Sequence, residues 1–197
     1  MLIRFEMGKM SKGKPIMKIQ NIVASVALNQ KINLKLIVEK FPHAEYNPKV
    51  FPGLVFRLKK PKTATLIFET GKMVCTGAKS EKEAIQAVNK VTKELKNQGI
   101  PITNKPVITI QNIVASGELG GEIDLESVVS KLKRVMYEPE QFPGAVYRMD
   151  VPKVVFLIFS AGKLVCVGAK KEQEVYEAVN NIQKLLEEQG LIFYPQL

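Results

Sequence analysis

The chain has 197 residues, with 29 Lys and Arg against 19 Asp and Glu, a net charge of +10. So basic a balance suggests a polyanionic partner. No apolar run approaches the roughly 18–20 residues of a membrane span, so no membrane partner is expected. The single histidine, His43, and two cysteines, Cys75 and Cys166, form no CxxC or Cys/His cluster. No metal site, cofactor or catalytic set is therefore expected, and the two thiols read as buried structural residues.

The first fifteen residues, MLIRFEMGKMSKGKP, are basic and lack both a continuous apolar core and a small-residue cleavage site. They read as a flexible start and not as a signal peptide, with an intracellular protein as the default. An apolar, β-rich stretch follows, IMKIQNIVASVAL. Asn33 then caps a short helix, LKLIVEK. A Phe-Pro-Gly turn at 51–53, read as type II, leads into three short β-rich runs, LVFRL, ATLIF and KMVCTG. The last two are joined by the turn ETGK. A longer helix closes the segment. Ser80 and Glu83 form its capping box, and Ala84, Ile85, Val88, Val91 and Leu95 fall at helical spacing.

From Val107 the same series begins again. IQNIVAS recurs at 110–116, Asp124 caps LESVVSKLKR, and FPGAVYRM and LIFSAGKLVCVGAK repeat FPGLVFRL and LIFETGKMVCTGAK. Val175, Ala178, Val179, Ile182, Leu185 and Leu186 stripe the closing helix. Matching residues differ by 91 throughout, with no insertion between the anchors. So long a period describes two similar half-domains and not a solenoid. The expected division is a basic N-terminus (1–15), a first repeat (16–106) and a second (107–197). The order β-α-β-β-β-β-α, twice, predicts an α+β protein with helices on one face of a mostly antiparallel sheet.

These strands do not alternate apolar and polar residues as a half-solvated sheet should. In ATLIF, Leu66 and Phe68 share one parity and Ile67 takes the other. Val74 and Thr76 oppose Met73 and Cys75, and VVFLIF at 154–159 is apolar throughout. Two long helices can cover only one face, so the other needs a partner. A second sheet or subunit, a lipid, or the minor groove of DNA would each serve. Arg57 and Arg148 at matching strand positions, with lysines near strand ends and the matched pair Asn21 and Asn112, favour the last.

QNIVAS in both copies, with AEYNPKVFPGL and TGKMVCTGAK in the first and YEPEQFPGAVYRM and SAGKLVCVGAK in the second, resembles the core of the TATA-box-binding protein family. The similarity runs from about Ile16 to Phe193, and the short N-terminus resembles archaeal members. The resemblance implies a saddle: one curved antiparallel sheet of two pseudo-symmetric repeats, helices on its convex side and promoter DNA in its concavity. It further implies that Phe51 with Phe68, and Phe142 with Phe159, wedge between base steps at the ends of a TATA element. Asn21, Val23, Leu66, Val74, Thr76, Asn112, Val114, Leu157, Val165 and Val167 are implied to meet base edges. Arg57, Lys72, Arg148 and Lys163 are implied to meet phosphates. Glu138 and Glu140 match the acids that dock transcription factor B, through which RNA polymerase is reached indirectly. Self-association without DNA, and a cytoplasmic, nucleoid-associated place in an archaeal cell, follow from the same resemblance. An enzyme on a similar saddle, such as a DNA glycosylase or ribonuclease, is the competing reading. It would need an acid–base set that this sequence does not offer.

Two departures break the symmetry. Val167 stands where the first copy has the hydroxyl of Thr76, so the halves are expected to read the central base steps differently. Residues 16–106 carry 16 Lys and Arg and 6 Asp and Glu, whereas residues 107–197 carry 9 and 12. Asp150-Val151 replaces Lys59-Lys60, and Gln141 stands where many family members have Leu.

Overall fold

The computed structural model describes residues 15–195. The expectation of a flexible basic N-terminus concerns residues that lie almost wholly outside this range. The elements run β1 (Ile16–Ala27), α1 (Leu34–Lys40), β2 (Leu54–Leu58), β3 (Thr63–Ile67), β4 (Lys72–Ala78) and α2 (Glu81–Asn97). They continue with β5 (Val107–Glu118), β6 (Glu122–Ile123), α3 (Leu125–Lys131), β7 (Val135–Met136), β8 (Ala145–Met149), β9 (Val154–Ile158), β10 (Lys163–Ala169), α4 (Glu172–Glu188) and β11 (Ile192–Phe193). The result is α+β, two tandem copies of one unit with antiparallel strands, as the sequence predicts. The expected strand count differs between the copies. The second has four strands between its helices, β7 to β10, whereas the first has three and a single bridge, Glu45 to Val55.

By contacts the chain forms two compact units. One is Asn21–Asn112, and the other takes the described residues before 21 and after 112. In the first unit β4 pairs with β1 and β3, and β3 with β2. In the other β10 pairs with β5 and β9, β9 with β8, and β8 with β7. The ladders slip at matching places, between Ile22 and Ala24 in one and between Val167 and Ala169 in the other, a bulge that sharpens local twist.

The helices begin where their caps predict. Asn33 Oδ1 accepts from the Leu36 N–H at 3.2 Å, Asp124 Oδ1 from Ser127 N–H at 3.0 Å, and Ser80 Oγ from Glu83 N–H at 3.1 Å. The Ser127 hydroxyl also donates to Asp124, and these bonds hold its carboxyl below the usual range. Helix α4 has no side-chain cap at Lys171, but the Glu174 carboxylate accepts from the Lys170 N–H at 2.7 Å.

Each long helix covers one face of its sheet. Ala84, Ala87, Val88, Val91, Thr92 and Leu95 of α2 are buried, as are Val175, Ala178, Val179, Ile182, Gln183 and Leu186 of α4. Against them lie Ile22, Ala24, Phe56, Ile67, Met73 and Cys75 in one unit, and Ile113, Ala115, Phe156, Ile158, Leu164 and Cys166 in the other. Burial raises the pKa of both thiols, Cys166 to about 12, so neither ionises near neutral pH. The helical stripe is corrected at Ile85, which is 44% exposed because the core-facing arc runs through Ala84 and Ala87 instead.

The segments after the two long helices dock by different means. In the second copy, β11 pairs with β6. In the first, Gln30 Nε2 donates to the Pro101 carbonyl at 2.7 Å, and Gln30 Oε1 accepts from the backbone N–H groups of Thr103 and Asn104. Pro101 stands where β11 has Ile192 and cannot donate to a ladder.

The core assignment makes a prediction. Leu95→Ala should destabilise by about 2–5 kcal/mol, because the fully buried site cannot collapse around the loss. Ile85→Ala should cost under about 1 kcal/mol. Chemical denaturation of the two variants checks this, and equal costs would overturn the assignment.

Candidate nucleic-acid interface

The opposite parity of the same strands is only half-buried. In the first unit Asn21, Val23, Leu66, Val74 and Thr76 all lie there. Leu66 is registered between Val55 and Val74, and Thr76 opposite Ala64, which in turn opposes Arg57. In the other unit Leu157 sits between Val146 and Val165, and Val167 between Val114 and Val155. Asn112 is also half-buried, at the end of the first unit. Each unit thus gathers its predicted base-edge residues on one apolar surface that its helix leaves uncovered. Val55, Val146 and Val155 belong to the same surface and were not predicted. Their signal was available, since they share strand parity with Arg57, Arg148 and Leu157.

Beside each surface two rings meet. Phe51 and Phe68 pack edge to face with centroids 5.8 Å apart, and Phe142 and Phe159 do so at 5.7 Å. Phe51 is 39% and Phe142 37% exposed, a large apolar area left in water. The Phe-Pro-Gly signal has a different cause from the one expected. Neither Gly53 nor Gly144 takes the left-handed backbone that a type II turn needs at this position. Each is a seat for the rings. A Cβ at Gly53 would lie 2.6 Å from Phe51 Cε1 and 2.9 Å from Phe68 Cε1, and one at Gly144 2.9 Å and 3.0 Å from Phe142 and Phe159.

The polar residues are unequal between the copies. Asn21 Oδ1 accepts from the Gly77 N–H at 2.7 Å and lies 3.1 Å from the Thr76 hydroxyl, which fixes the orientation of its amide. Val167 supplies no such hydroxyl. Arg57 Nε pairs with Glu45 at 3.0 Å, but both side chains are over half exposed, so the pair is weak and easily exchanged. Arg148, Lys72 and Lys163 are exposed. Lys72 lies opposite Ala27, whereas Lys163 lies opposite Glu118. Glu138 and Glu140 are exposed in the loop before β8, where the Glu138 carbonyl accepts from the N–H groups of Gln141 and Phe142 at 2.9 Å. Asn47 receives the same pair of bonds from Val50 and Phe51. One loop form therefore carries the exposed Phe in both copies, and only the second adds acids. Among the described residues no group of three His, Cys, Asp or Glu could hold a metal, and no helix is long and apolar enough to cross a membrane.

Fold and surface together define a two-repeat α+β protein with an uncovered apolar sheet face in each repeat, flanked by paired phenylalanines and cations. A sequence profile described as "Transcription factor TFIID (or TATA-binding protein, TBP)" matches residues 16–98 and again 107–189. The TATA-box-binding protein of Pyrodictium occultum is 55% identical over 173 residues, 88% of this chain and 87% of that one. That of Pyrobaculum calidifontis is 50% identical over 184 residues, 93% and 92% of the two chains. The solved structure of Methanococcus jannaschii TBP superposes with a TM-score of 0.80 at 47% identity, covering 87% of this chain and 98% of that one. The chain belongs to the TATA-box-binding protein family of transcription factors, and these relatives bear no enzyme's name.

The ring seat is testable. Gly53→Ala should separate Phe51 from Phe68, abolishing ring-to-ring nuclear Overhauser effects. It should cost no more than about 1.5 kcal/mol, the scale of one aromatic pair. Retained ring contacts would contradict the seat.

Proposed function

We propose that this chain is a general transcription initiation factor that binds the TATA element of duplex promoter DNA through the minor groove. The half-buried apolar sheet surface beside each exposed phenylalanine pair carries this reading, within a family named for TATA binding. In the minor groove A·T and T·A pairs offer only acceptors, whereas G·C adds an amino donor. An apolar surface such as Val74, Leu66 and Val165 tolerates the first and leaves the second buried without a partner, at about 1–3 kcal/mol. Selectivity for A·T then needs no base-by-base code.

The Phe pairs enter base steps and kink the duplex. Unstacking costs a few kcal/mol per step. Removing each exposed ring from water recovers part of it, about 1.5–3 kcal/mol for full burial. Flexible TA steps lower the remainder. Asn21 and Asn112 hydrogen-bond base acceptors, and Arg57, Lys72, Arg148 and Lys163 meet phosphates. A gel-shift comparison of a TATA duplex with a G·C-substituted one, at one stated salt concentration, tests the reading. Wild type should prefer the TATA duplex, and Phe142→Ala should weaken that binding by an order of magnitude or more. No A·T preference in wild type would overturn it.

Glu138 and Glu140 serve a different partner. They are exposed beside the second Phe pair and repel phosphate, so they suit a protein contact. Transcription factor B docks there and brings in RNA polymerase. Glu138→Arg with Glu140→Arg should abolish the factor B supershift while leaving the binary DNA complex intact. Equal loss of both would remove the case for a separate partner surface.

A further inference from the structure

The second copy holds nine Lys and Arg in an acidic half, and four of them line one groove. Lys131, Lys133, Arg134 and Arg148 surround about 410 Å³ of space beside Tyr147, with Asp150 the lining acid. In the first copy the matching place is filled by rings. Phe41 and His43 each pack edge-on against the buried Phe56 with centroids 5.1 Å away. The residues 91 further on are Leu132, Arg134 and Tyr147, so one aromatic partner becomes aliphatic and the other a cation, and a groove opens.

The same exchange moves charge. Asp150 replaces Lys59, while Lys133 and Arg134 replace Pro42 and His43. Arg134 pairs with Asp150. Lys131 Nζ donates to the Gln189 carbonyl at the end of α4, at 3.1 Å. Lys133 and Arg148 are exposed. The Arg134 backbone is held at φ 61°, unusual for a residue with a side chain, and its carbonyl accepts from the Arg148 N–H at 3.2 Å. That bond ties the loop to β8. Arg148 shares the strand parity of Val146, which is registered against Leu157 of the open surface. The groove therefore meets the rim of that surface.

We propose that this groove is an anion site for backbone phosphates of the duplex flanking the TATA element, with Lys133 and Arg148 as its contacts and Asp150 held off them by Arg134. The inference rests on the DNA-binding reading above. It goes beyond that reading in adding Lys133, from the α3–β7 loop, beside Arg148, where Asp150 and Val151 replace Lys59 and Lys60. Its position at the rim favours a phosphate over an acidic peptide.

Fluorescence anisotropy over a salt series tests it, using the full chain and a TATA duplex with long flanks. Lys133→Ala should weaken binding at low salt and make the slope of log affinity against log salt shallower by about 0.9. A fourfold rise in salt would then narrow the gap to wild type by about 3.5-fold. On a duplex trimmed to the element, wild type and Lys133→Ala should bind alike. Unchanged affinity and slope for Lys133→Ala, while wild type keeps its A·T preference, would overturn the groove and spare the DNA reading. Loss of poly-glutamate binding in Lys133→Ala with DNA binding intact would also overturn it, in favour of an acidic protein partner.

Discussion

Everything in this molecule depends on a shortage of cover. Each repeat makes a sheet whose strands are apolar on both sides and provides one long helix to bury one of them. Leu95 and Ile182 complete an ordinary core, with each large side chain buried there worth about 1.5–3 kcal/mol. The opposite parity, from Val23 and Leu66 to Val146 and Val165, is left half in water. A free apolar sheet is a hazard for association. Exposed basic residues on the same strands, Arg57, Lys72, Arg148 and Lys163, favour a partner whose rims are anionic.

The paired rings follow from the same constraint at closer range. On the proposed reading, a phenylalanine that enters a base step has to be exposed and also held. Packing Phe51 on Phe68 over a residue without a Cβ meets both needs, because the rings support one another while keeping an outer edge free. The two copies reproduce this to within 0.1 Å in centroid spacing, 5.8 against 5.7 Å. The surroundings of the rings diverge far more than the rings do, which is where selection for two different ends would leave its mark.

Much of the fold was legible because its signals are local and written twice. Asn33, Ser80 and Asp124 announced helix starts, and the parity of Leu66, Val74 and Thr76 announced a second apolar face. What failed was geometry that depends on neighbours. Phe-Pro-Gly looked like a turn demanding a left-handed glycine, whereas the glycine answers to Phe68, fifteen residues on and one strand away. Ile85 fitted a helical stripe whose true arc only the sheet beneath it defines. The roles of the site residues came from family resemblance, since an apolar face alone does not say whether a subunit, a lipid or a groove covers it. Val55, Val146 and Val155 share that face, and their parity with Arg57, Arg148 and Leu157 already marks them for it in the sequence.

Divergence between the copies is the remaining lesson. Where Thr76 steadies Asn21 in one copy, Val167 offers no hydroxyl in the other. Where Phe41 and His43 fill the space against Phe56, Leu132 and Arg134 leave a charged groove against Tyr147. Where Lys72 faces Ala27, Lys163 faces Glu118. The first and third of these exchanges lie on the open face, and the second reaches the buried parity, where Phe56 is fully buried and Tyr147 only half-buried. A duplicated unit can therefore keep one core and still acquire a direction. The first copy holds 16 Lys and Arg, and the second holds 9, with two acids close before Phe142 and four of the nine cations lining one groove. On the proposed reading such inequality gives the complex a direction, because two identical halves would bind an A·T-rich element equally well in either orientation.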